Sequence, residues 1–341
     1  MSKISAAICY LTQNTDVRRT YLKTSLYFLF KHFNAKYQYP VIIFHEGDYD
    51  NDAQQDILMG IRGSCRDLVS FQALDPNDFK VPEHIDKVKL QRCLDIKPHP
   101  TPYWRNEKYR LMCRWWLMEF PKYVKNYDYV MRLDDDSLIE EPLKYDLFEW
   151  AAKKDLNYAS NFVHVDCGIC CYGMKRFFDK HYPDKQKMIQ EMFMEQKVPL
   201  RSVQFHPFRT ILSLTQKPLP TLSDTETLWM PIMYYNNFFI TKPSFWYQED
   251  VQKTLKAIDE DGSIFYFRWG DAPLQSILVM LHSTPDKISK ANFEYSKRLQ
   301  REAFKGDDGH YHPYMPETYD KSSCITEQKE FQERFKNQAS S

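Results

Sequence analysis

Short apolar runs alternate with helically spaced apolar residues along the first half of the chain. Residues 17–33 carry Tyr, Leu and Phe side chains at intervals of three and four, which predicts an amphipathic helix capped by Thr15 or Asp16. The continuous apolar runs are too short for helices and predict buried strands. These strands are residues 6–11, 39–45 and 68–71.

The same alternation continues in the second half of the chain. Residues 107–120 carry apolar side chains on one side and predict a helix, and residues 127–133 predict a strand that ends at three aspartates. Further predicted strands are residues 157–164, 234–240 and 264–267, and further predicted helices are residues 174–178, 251–258 and 271–281. Strands that alternate with helices indicate an α/β fold, with a mostly parallel central sheet flanked by helices.

The composition is that of a folded protein with balanced charge. Hydrophobic residues make up 43% of the 341 residues and aromatic residues 16%, which is enough for a large core. The 46 basic and 46 acidic side chains leave no formal net charge, which argues against a nucleic-acid partner, because phosphate binding needs an excess of cations. We expect one domain over residues 1–330 and a flexible tail over residues 331–341.

The sequence carries no sign of a membrane span or a signal peptide, and its cysteines do not have zinc-site spacing. No segment of the sequence has the length of apolar residues needed to span a membrane, and the first residues lack the pattern of a signal peptide, so the chain as written is expected in the cytoplasm. Among the 8 cysteines, Cys167 and Cys170 form an isolated Cys-x-x-Cys pair. Without a second pair at zinc-ribbon spacing, this favours buried free thiols over structural zinc.

Three successive aspartates, Asp134 to Asp136, follow the strand predicted at residues 127–133. Ligands of parallel α/β sheets bind beyond the carboxyl ends of the strands. In an extended chain Asp134 and Asp136 point the same way and can reach one divalent ion, and hard oxygen ligands suit Mg²⁺ or Mn²⁺. Such an ion can bind the diphosphate of a nucleotide sugar and stabilise it as it departs. A solvated acidic turn is the alternative explanation.

Three stretches of the chain resemble, in order, the signatures of one enzyme family. Residues 109–114 read Tyr-Arg-Leu-Met-Cys-Arg, residues 131–136 read Met-Arg-Leu-Asp-Asp-Asp, and residues 268–273 read Arg-Trp-Gly-Asp-Ala-Pro. They are similar to the Tyr-Arg-x-Met-Cys-Arg, Trp-Arg-Val-Glu-Pro-Asp and Arg-Trp-Gly-Asp-Ala-Pro stretches of the fungal α-1,2-mannosyltransferases, glycosyltransferase family 15. Residues 14–16 and 309–314 resemble two further family stretches, so the likeness covers about residues 6–316.

The resemblance implies a single GT-A domain with a Rossmann-like nucleotide-binding half at about residues 6–130 and a metal, sugar and acceptor half at about residues 131–316. It implies a glycosyltransferase that moves mannose from GDP-mannose to a hydroxyl of a mannoside or other glycan, with retention of anomeric configuration. The implied cofactor is Mn²⁺ or Mg²⁺. Family members usually lie in the Golgi lumen behind an N-terminal anchor, so that compartment is expected if an anchor was removed from this chain.

The family's site residues map onto matching positions of this chain. Asp134, Asp136 and His312 are the expected metal ligands, and Asp271 and Asp134 are the expected catalytic residues. The expected donor-binding residues are Thr12, Asn14, Tyr109, Arg110, Arg114 and Asp135. The expected acceptor-binding residues are Tyr235, Asn236, Arg268 and Trp269.

Three positions depart from the family pattern. Phe239 stands where the family has the Glu considered a candidate nucleophile, Gln13 replaces an Arg, and Gln275 replaces a His. Since phenylalanine cannot attack an anomeric carbon, either another acid serves, or the acceptor hydroxyl attacks from the face that the diphosphate leaves. A catalytically silent glycan-binding relative and a transferase for another nucleotide sugar therefore remain open alternatives.

Several of these candidates also have a purely structural explanation. Arg110 and Arg114 lie one helical turn apart, which suits either a diphosphate or a salt-bridged helix surface. Asp271 could cap the helix that follows it. Tyr235 and Asn236 could line the acceptor cleft or merely end a strand.

Overall fold

The strands of this protein are mostly short and occur in both halves of the described chain. The computed structural model describes residues 4–61, 63–95, 105–199, 225–297, 304–305 and 311–312. Within these residues the strands are β1 (Ala6–Leu11), β2 (Val41–His45), β3 (Val69–Ala73), β4 (Tyr129–Leu133), β5 (Ser137–Ile139), β6 (Tyr158–Ser160), β7 (Val163–Val165), β8 (Phe193–Pro199), β9 (Thr225–Tyr234), β10 (Phe238–Thr241), β11 (Ile288–Lys290), β12 (Tyr295–Lys297), β13 (Phe304–Lys305) and β14 (Tyr311–His312).

A seven-stranded sheet in the order β11-β6-β10-β4-β1-β2-β3 forms the centre of the fold. Strand β1 pairs in parallel with both β2 and β4, β2 pairs in parallel with β3, and β11 with β6. Only β10 runs antiparallel in this sheet, between β4 and β6. The mostly parallel α/β sheet predicted from the sequence is confirmed. Its first and fourth strands end side by side, since Cys9 lies opposite Arg132.

Helices cover the sheet. The α-helices are Asp16–Leu29, Ala35–Tyr37, Asn51–Met59, Gly63–Arg66, Lys87–Leu94, Glu107–Arg114, Phe120–Val124, Leu147–Lys153, Met174–His181, Gln186–Glu191, Pro243–Trp246, Glu249–Asp261, Ser263–Tyr266 and Asp271–His282. One-turn π-helical segments at Phe30–Asn34 and Trp115–Glu119 continue two of them, and 3₁₀ turns occur at Pro183–Lys185 and Pro285–Lys287. In the described part of the chain, no helix combines the length and the apolar character that a membrane span requires.

The two faces of the sheet support separate cores. Successive residues of β1 alternate between them: Ala7 and Cys9 pack on one face, and Ala6, Ile8 and Tyr10 pack on the other. All five are buried. Because both faces are covered, the strand is apolar throughout rather than alternately polar. This explains why the strands appear in the sequence as continuous apolar runs.

Most predicted elements are confirmed, two predicted strands are divided, and one is wrong. The strand predicted at residues 157–164 is divided into β6 and β7, and the strand predicted at residues 234–240 covers the end of β9, a turn and most of β10. Thr15 caps the first helix, since its side chain accepts a hydrogen bond from the backbone N–H of Arg18. Residues 264–267, predicted as a strand, instead lie in the helical turn Ser263–Tyr266 and the residue after it. All four are apolar and buried. A short run that is apolar on every side has no periodicity that separates a strand from a buried helical turn.

A second, two-stranded sheet bears on the functional site. Strand β5 follows the aspartate triplet directly and pairs antiparallel with β12, so that Lys297 lies opposite Ser137. The Ser137 hydroxyl is 2.7 Å from the phenolic oxygen of Tyr295. This pairing holds the chain near residue 297 beside the carboxyl end of β4. Strands β7, β9 and β8 form a further antiparallel sheet.

The substitution Gly262→Ala tests the turn between two of these helices. Gly262 has a φ of +73°, and a Cβ there would lie 2.9 Å from atoms of both Ile85 and Tyr266. Backbone strain and these contacts should lower the free energy of unfolding by about 1–3 kcal/mol, measured by urea denaturation. In the control Gly60→Ala the nearest atom would lie 3.6 Å away and φ is ordinary, so we expect little change. Equal effects of the two substitutions would contradict the strain argument.

Candidate active site

The carboxyl ends of β1 and β4 bring the first candidate site residues together. Thr12 follows β1 directly, and its hydroxyl donates a 2.7 Å hydrogen bond to the Asp135 carboxylate. Arg18, in the first turn of the following helix, forms an ion pair with the same carboxylate. Asp135 is fully buried. Its side chain therefore points towards β1 and connects the two strand ends.

Asp134 and Asp136 both contact Lys297 instead of β1. The extended backbone expected from the sequence is not what brings them together, because residues 134–136 form a turn in which the backbone N–H of Ser137 donates a 2.9 Å hydrogen bond to the carbonyl of Asp134. Two nitrogens of the Arg132 guanidinium lie 2.9 Å from one oxygen of Asp134. The second oxygen accepts a hydrogen bond from the side-chain amide of Asn237. The ammonium nitrogen of Lys297 lies 3.4 Å from Asp134 and 3.4 Å from Asp136. The prediction that both side chains can reach one cation agrees with this geometry, although the cation is a lysine.

The three carboxyl groups differ in acidity. Burial would raise the pKa of Asp134, but the charges of Arg132 and Lys297 outweigh burial and lower that pKa below its usual value. Burial dominates at Asp135 and raises its pKa to about 7, although Arg18 opposes the shift. Burial also raises the pKa of Asp136, against the opposing charge of Lys297. The three aspartates therefore remain ionised at neutral pH only because neighbouring cations stabilise their negative charges.

A cleft of about 1020 Å³ opens beside the end of β1. Its polar lining combines Thr12 and Arg18 with side chains from the loop and helix around Tyr109. Asn14, predicted to bind the donor, does not line this cleft, because its backbone N–H and its side-chain amide both donate to Asp48. It instead holds the acidic loop after β2 against the turn after β1.

A second cleft of about 570 Å³ adjoins the first, since Arg105 and Tyr109 line both. Of the predicted acceptor residues, it contains Tyr235, Asn236 and Arg268, together with the predicted catalytic Asp271. The structure therefore places Thr12, from the predicted donor set, and three of the predicted acceptor residues in adjoining clefts, with Tyr109 between them.

Asp271 lies at the floor of the second cleft and does not cap its helix. The helix begins at Asp271 with Gly270 as the capping residue, and no side chain makes the capping hydrogen bond. Its carboxylate instead accepts hydrogen bonds from Arg132, at 2.6 Å, and from Asn236, at 2.7 Å. The capping explanation is therefore wrong. Arg132 joins Asp271 to the aspartate triplet through one guanidinium group.

Arg268 occupies a strained position on the wall of this cleft. Its φ of +66° is rare for a residue other than glycine. Both oxygens of Asp166 accept hydrogen bonds from the guanidinium group, at 3.0 and 3.2 Å, and the Tyr109 hydroxyl lies 3.4 Å away. Backbone strain that is held by a buried ion pair is common at ligand-binding positions.

Three of the residues expected to bind ligands have side chains that line neither cleft. Arg114 pairs with both oxygens of Asp259, at 2.7 and 2.9 Å, and with Glu119 at 2.8 Å. Arg110 is fully buried and donates to the carbonyl of Phe265. Neither arginine lines the two clefts. Both side chains face the helices at residues 249–266 because the helix Glu107–Arg114 turns that side towards the core.

Trp269 is the third of these residues. We expect it from the sequence to bind the acceptor, but it is 1% exposed, and its indole N–H donates a 3.0 Å hydrogen bond to the carbonyl of Tyr172. Its ring packs edge-on against Phe177. With its polar atom satisfied and its ring enclosed, Trp269 is part of the core.

Several site residues were not identified from the sequence: Arg18, Arg132, Asp166, Asn237 and Lys297. Arg18 and Arg132 carried usable signals. Arg132 stands in the matched stretch at residues 131–136, two residues before Asp134. A cation in the first turn of a helix opposes the helix dipole, so its presence there indicates a carboxylate partner nearby. Asp166, Asn237 and Lys297 are far in sequence from the residues that they contact, and only the fold brings them together.

The described residues do not fit a divalent ion in the predicted arrangement. Lys297 already lies between Asp134 and Asp136, and an ion placed there would lie against its ammonium group. Within the described ranges no cluster of three histidine, cysteine or acidic side chains could hold a metal. The third expected ligand, His312, lies in β14 opposite Phe304, and its side chain is outside the described residues.

Comparison with known proteins decides the family. The profile of the glycolipid 2-alpha-mannosyltransferases, glycosyltransferase family 15, matches residues 1–300. The chain belongs to this family. The expected glycosyltransferase class is thereby confirmed at the level of the family.

Curated relatives in this family are distant. The chain is 24% identical over 289 residues to the O-glycoside alpha-1,2-mannosyltransferase omh1 of Schizosaccharomyces pombe, covering 84% of this chain and 67% of the relative. It is 22% identical to glycolipid 2-alpha-mannosyltransferase 1 of Candida albicans, covering 84% of this chain and 60% of the relative. The chain thus spans about 60–67% of the length of these relatives.

Two solved structures share the fold. One is the mannosyltransferase Ktr4p of Saccharomyces cerevisiae in complex with GDP, with a TM-score of 0.67 and 20% identity, covering 86% of this chain and 71% of that one. The other is core-mannan synthase A of Aspergillus fumigatus in its Mn/GDP form, with a TM-score of 0.68 and 18% identity, covering 86% of this chain and 75% of that one. The family 15 chain described here therefore has the GT-A fold.

The substitution Arg114→Met tests the structural assignment of this arginine. It leaves the partly buried carboxylates of Asp259 and Glu119 without their shared cation, so the free energy of unfolding should fall by about 1–3 kcal/mol in urea denaturation. The control Lys253→Met removes an exposed lysine paired with Glu249 and should leave stability nearly unchanged, because solvent screens exposed ion pairs. Unchanged stability of Arg114→Met with weakened GDP binding would restore the donor assignment.

Cys167 should be an unusually reactive thiol. It lines the second cleft, and of the described cysteines it is the one that is not buried. A hydrogen bond from Cys170 is the largest cause that lowers the pKa of Cys167, to about 6. Alkylation by iodoacetamide, followed by peptide mass spectrometry, should therefore reach half its maximal rate near pH 6. In Cys170→Ala that midpoint should move up towards about 8.5. A midpoint near 8.5 in the unaltered protein would refute the assignment.

Proposed function

We propose that this chain transfers mannose from GDP-mannose to a hydroxyl group of a mannoside or related glycan, with retention of anomeric configuration. The observation that carries the proposal is the pair of adjoining clefts at the carboxyl ends of the parallel strands, with Tyr109 shared between them. Membership of family 15 supports the reaction class. The named relatives are α-1,2-mannosyltransferases, and one structural neighbour was solved with GDP.

The first cleft suits the nucleotide. Its volume of about 1020 Å³ is ample for a nucleoside diphosphate, and Arg18 presents a partly exposed guanidinium group beside Thr12. Guanidinium groups bind phosphate oxygens through paired hydrogen bonds. Of the other donor-binding residues expected from the sequence, Tyr109 lines this cleft. The buried Asp135 acts indirectly, because it orients Thr12 and Arg18.

The second cleft suits the acceptor. Asn236, Tyr235 and Arg268 supply donors and acceptors for sugar hydroxyls, and Tyr235 also offers a ring. Phe162 stacks on that ring with a centroid distance of 4.3 Å, which fixes its orientation. An aromatic surface beside polar groups is what an oligosaccharide requires, because its ring faces are apolar and its edges carry hydroxyls.

The residues around the reacting centre favour attack from the face that the diphosphate leaves. Phe239 is 1% exposed and packs against Trp116 and Tyr158, so no acid is available at the family's nucleophile position. Asp271 is bound by Arg132 and Asn236. In the front-face route the anomeric carbon–phosphate oxygen bond breaks, the acceptor oxygen bonds to that carbon, and the acceptor proton goes to the departing diphosphate, which leaves as GDP.

The role we assign to Asp271 is to position rather than to attack. Its contacts hold Arg132 below the aspartate triplet and Asn236 at the cleft wall, so both the donor and the acceptor sides depend on it. Gln275 reinforces this arrangement, since its amide lies 3.3 Å from that of Asn236 and donates to the carbonyl of Trp116. Gln275 is therefore accounted for without a role in donor selection.

A catalytically silent glycan-binding relative is the second candidate function. The buried Phe239 favours it, because the position cannot supply a nucleophile. Incubation with GDP-mannose and methyl α-mannoside separates the two: transfer gives a disaccharide by mass and releases GDP. Neither product, across GDP- and UDP-sugars, would favour the binding relative; product from a UDP-sugar alone would assign another donor.

The substitution Asp271→Asn should lower mannosyl transfer about 10- to 100-fold while GDP still binds, because it weakens the contacts that position Arg132 and Asn236. Initial rates with GDP-mannose and calorimetry with GDP measure the two effects. The exposed Asp184 provides a matched control, and Asp184→Asn should leave both unchanged. An unchanged rate in Asp271→Asn would remove this residue from the mechanism.

A further inference from the structure

We propose that the ammonium group of Lys297 takes the place of a divalent cation beside the donor diphosphate, so that this chain binds its nucleotide without metal. The inference rests on the proposed function and concerns the same site. It follows from where Lys297 lies, between the two carboxylates that were expected to hold the ion.

The geometry of Lys297 is that of a bridging cation. Its nitrogen is 3.4 Å from oxygens of both Asp134 and Asp136, which are separated by one residue and face the same side. The lysine side chain is 16% exposed, the Asp134 side chain 20% and the Asp136 side chain 2%. The ammonium group is thus enclosed by the carboxylates while part of its surroundings stays open to a ligand.

The three carboxylates of the triplet contact three cations without a further ion, and one of these cations, Arg132, is shared with Asp271. Asp134, Asp135 and Asp136 carry three negative charges when ionised, and Arg132, Lys297 and Arg18 each pair with at least one of them. Among the described residues, these three cations are the ones that form ion pairs with the triplet. A divalent ion added between Asp134 and Asp136 would face an ammonium group at close range, and the like charges would repel.

The fold holds Lys297 in place through its backbone. Strand β12 pairs with β5, which begins directly after the triplet, and Lys297 lies opposite Ser137 in that pairing. Two residues earlier, the Tyr295 hydroxyl contacts the Ser137 side chain at 2.7 Å. The pairing of β12 with β5 therefore places Lys297 beside the carboxylates. Its position depends on this backbone pairing as well as on the attraction between its ammonium group and the two carboxylates.

An ammonium group can do part of what a metal does for a departing diphosphate. It offers three N–H donors and a full positive charge in a partly desolvated site, where charge-assisted hydrogen bonds are strongest. Together with Arg18 it would stabilise the negative charge that develops on the phosphate oxygen as the sugar leaves. No bond to an ion is needed for the front-face transfer, because the acceptor proton goes to the diphosphate itself.

Calorimetry with GDP tests the inference directly. We expect GDP to bind the unaltered chain with the same affinity in EDTA and in MnCl₂. The substitution Lys297→Met keeps the length of the side chain but removes its charge, and should weaken binding in EDTA by about 10-fold or more. The control Lys290→Met changes an exposed lysine of β11 and should have no effect.

A gain of metal dependence provides the second arm. In Lys297→His the two carboxylates gain a neutral imidazole, a set of ligands that suits Mn²⁺. GDP binding by this variant should become stronger on addition of MnCl₂, whereas binding by the unaltered chain should not respond. Thermal unfolding of each variant checks that the fold is intact.

The outcomes separate the two proposals. If the unaltered chain binds GDP only when MnCl₂ is present, the metal ion and not Lys297 holds the diphosphate. That result overturns the inference but leaves the proposed transferase function intact. If Lys297→Met binds GDP in EDTA as well as the unaltered chain does, the lysine has no role in donor binding, and the inference also fails. If GDP binds under no condition, the proposed function itself falls.

Discussion

The placement of three ionisable carboxyl groups at one strand end is the constraint on which the site depends. Buried carboxylates repel each other and lose hydration, so each must be paired with a cation or give up its charge. Arg18 reaches Asp135 from the first helix, Arg132 reaches Asp134 from within β4, and Lys297 bridges from β12. Three separate elements of the fold are thereby fixed relative to one another by the same charges.

Arg132 carries this network across the sheet. It lies in the central strand β4 at a position that an apolar residue would normally occupy, and its guanidinium carbon lies 4.1 Å from the centre of the Trp116 ring. Trp116 supports its charge through a cation–π contact, while Asp134 and Asp271 accept its hydrogen bonds. The surroundings raise the pKa of Arg132, because the nearby carboxylates outweigh the effect of burial. One buried cation thus couples the triplet to the acceptor cleft.

The family motifs contain both residues that line the clefts and residues that pack in the core, and the sequence alone does not tell which is which. In the stretch at residues 109–114, Tyr109 lines both clefts while Arg110 and Arg114 brace the helix against the core. In the stretch at residues 268–273, Arg268 and Asp271 face the cleft and Trp269 packs inward. Neighbouring residues of a helix or loop point in different directions. Within one sequence motif, some side chains therefore line a cleft while others pack in the core.

The sequence determined the elements, the mostly parallel sheet and the position of the aspartates at a strand end, because these follow from local periodicity and from short-range backbone geometry. It also determined the family, through motifs that stand in a fixed order. Tertiary structure alone decided which cations meet the aspartates, since Lys297 is more than 160 residues away from Asp134 along the chain and reaches it only through the pairing of β12 with β5. It likewise decided the turn at residues 264–267, where burial on every side leaves no periodic signal.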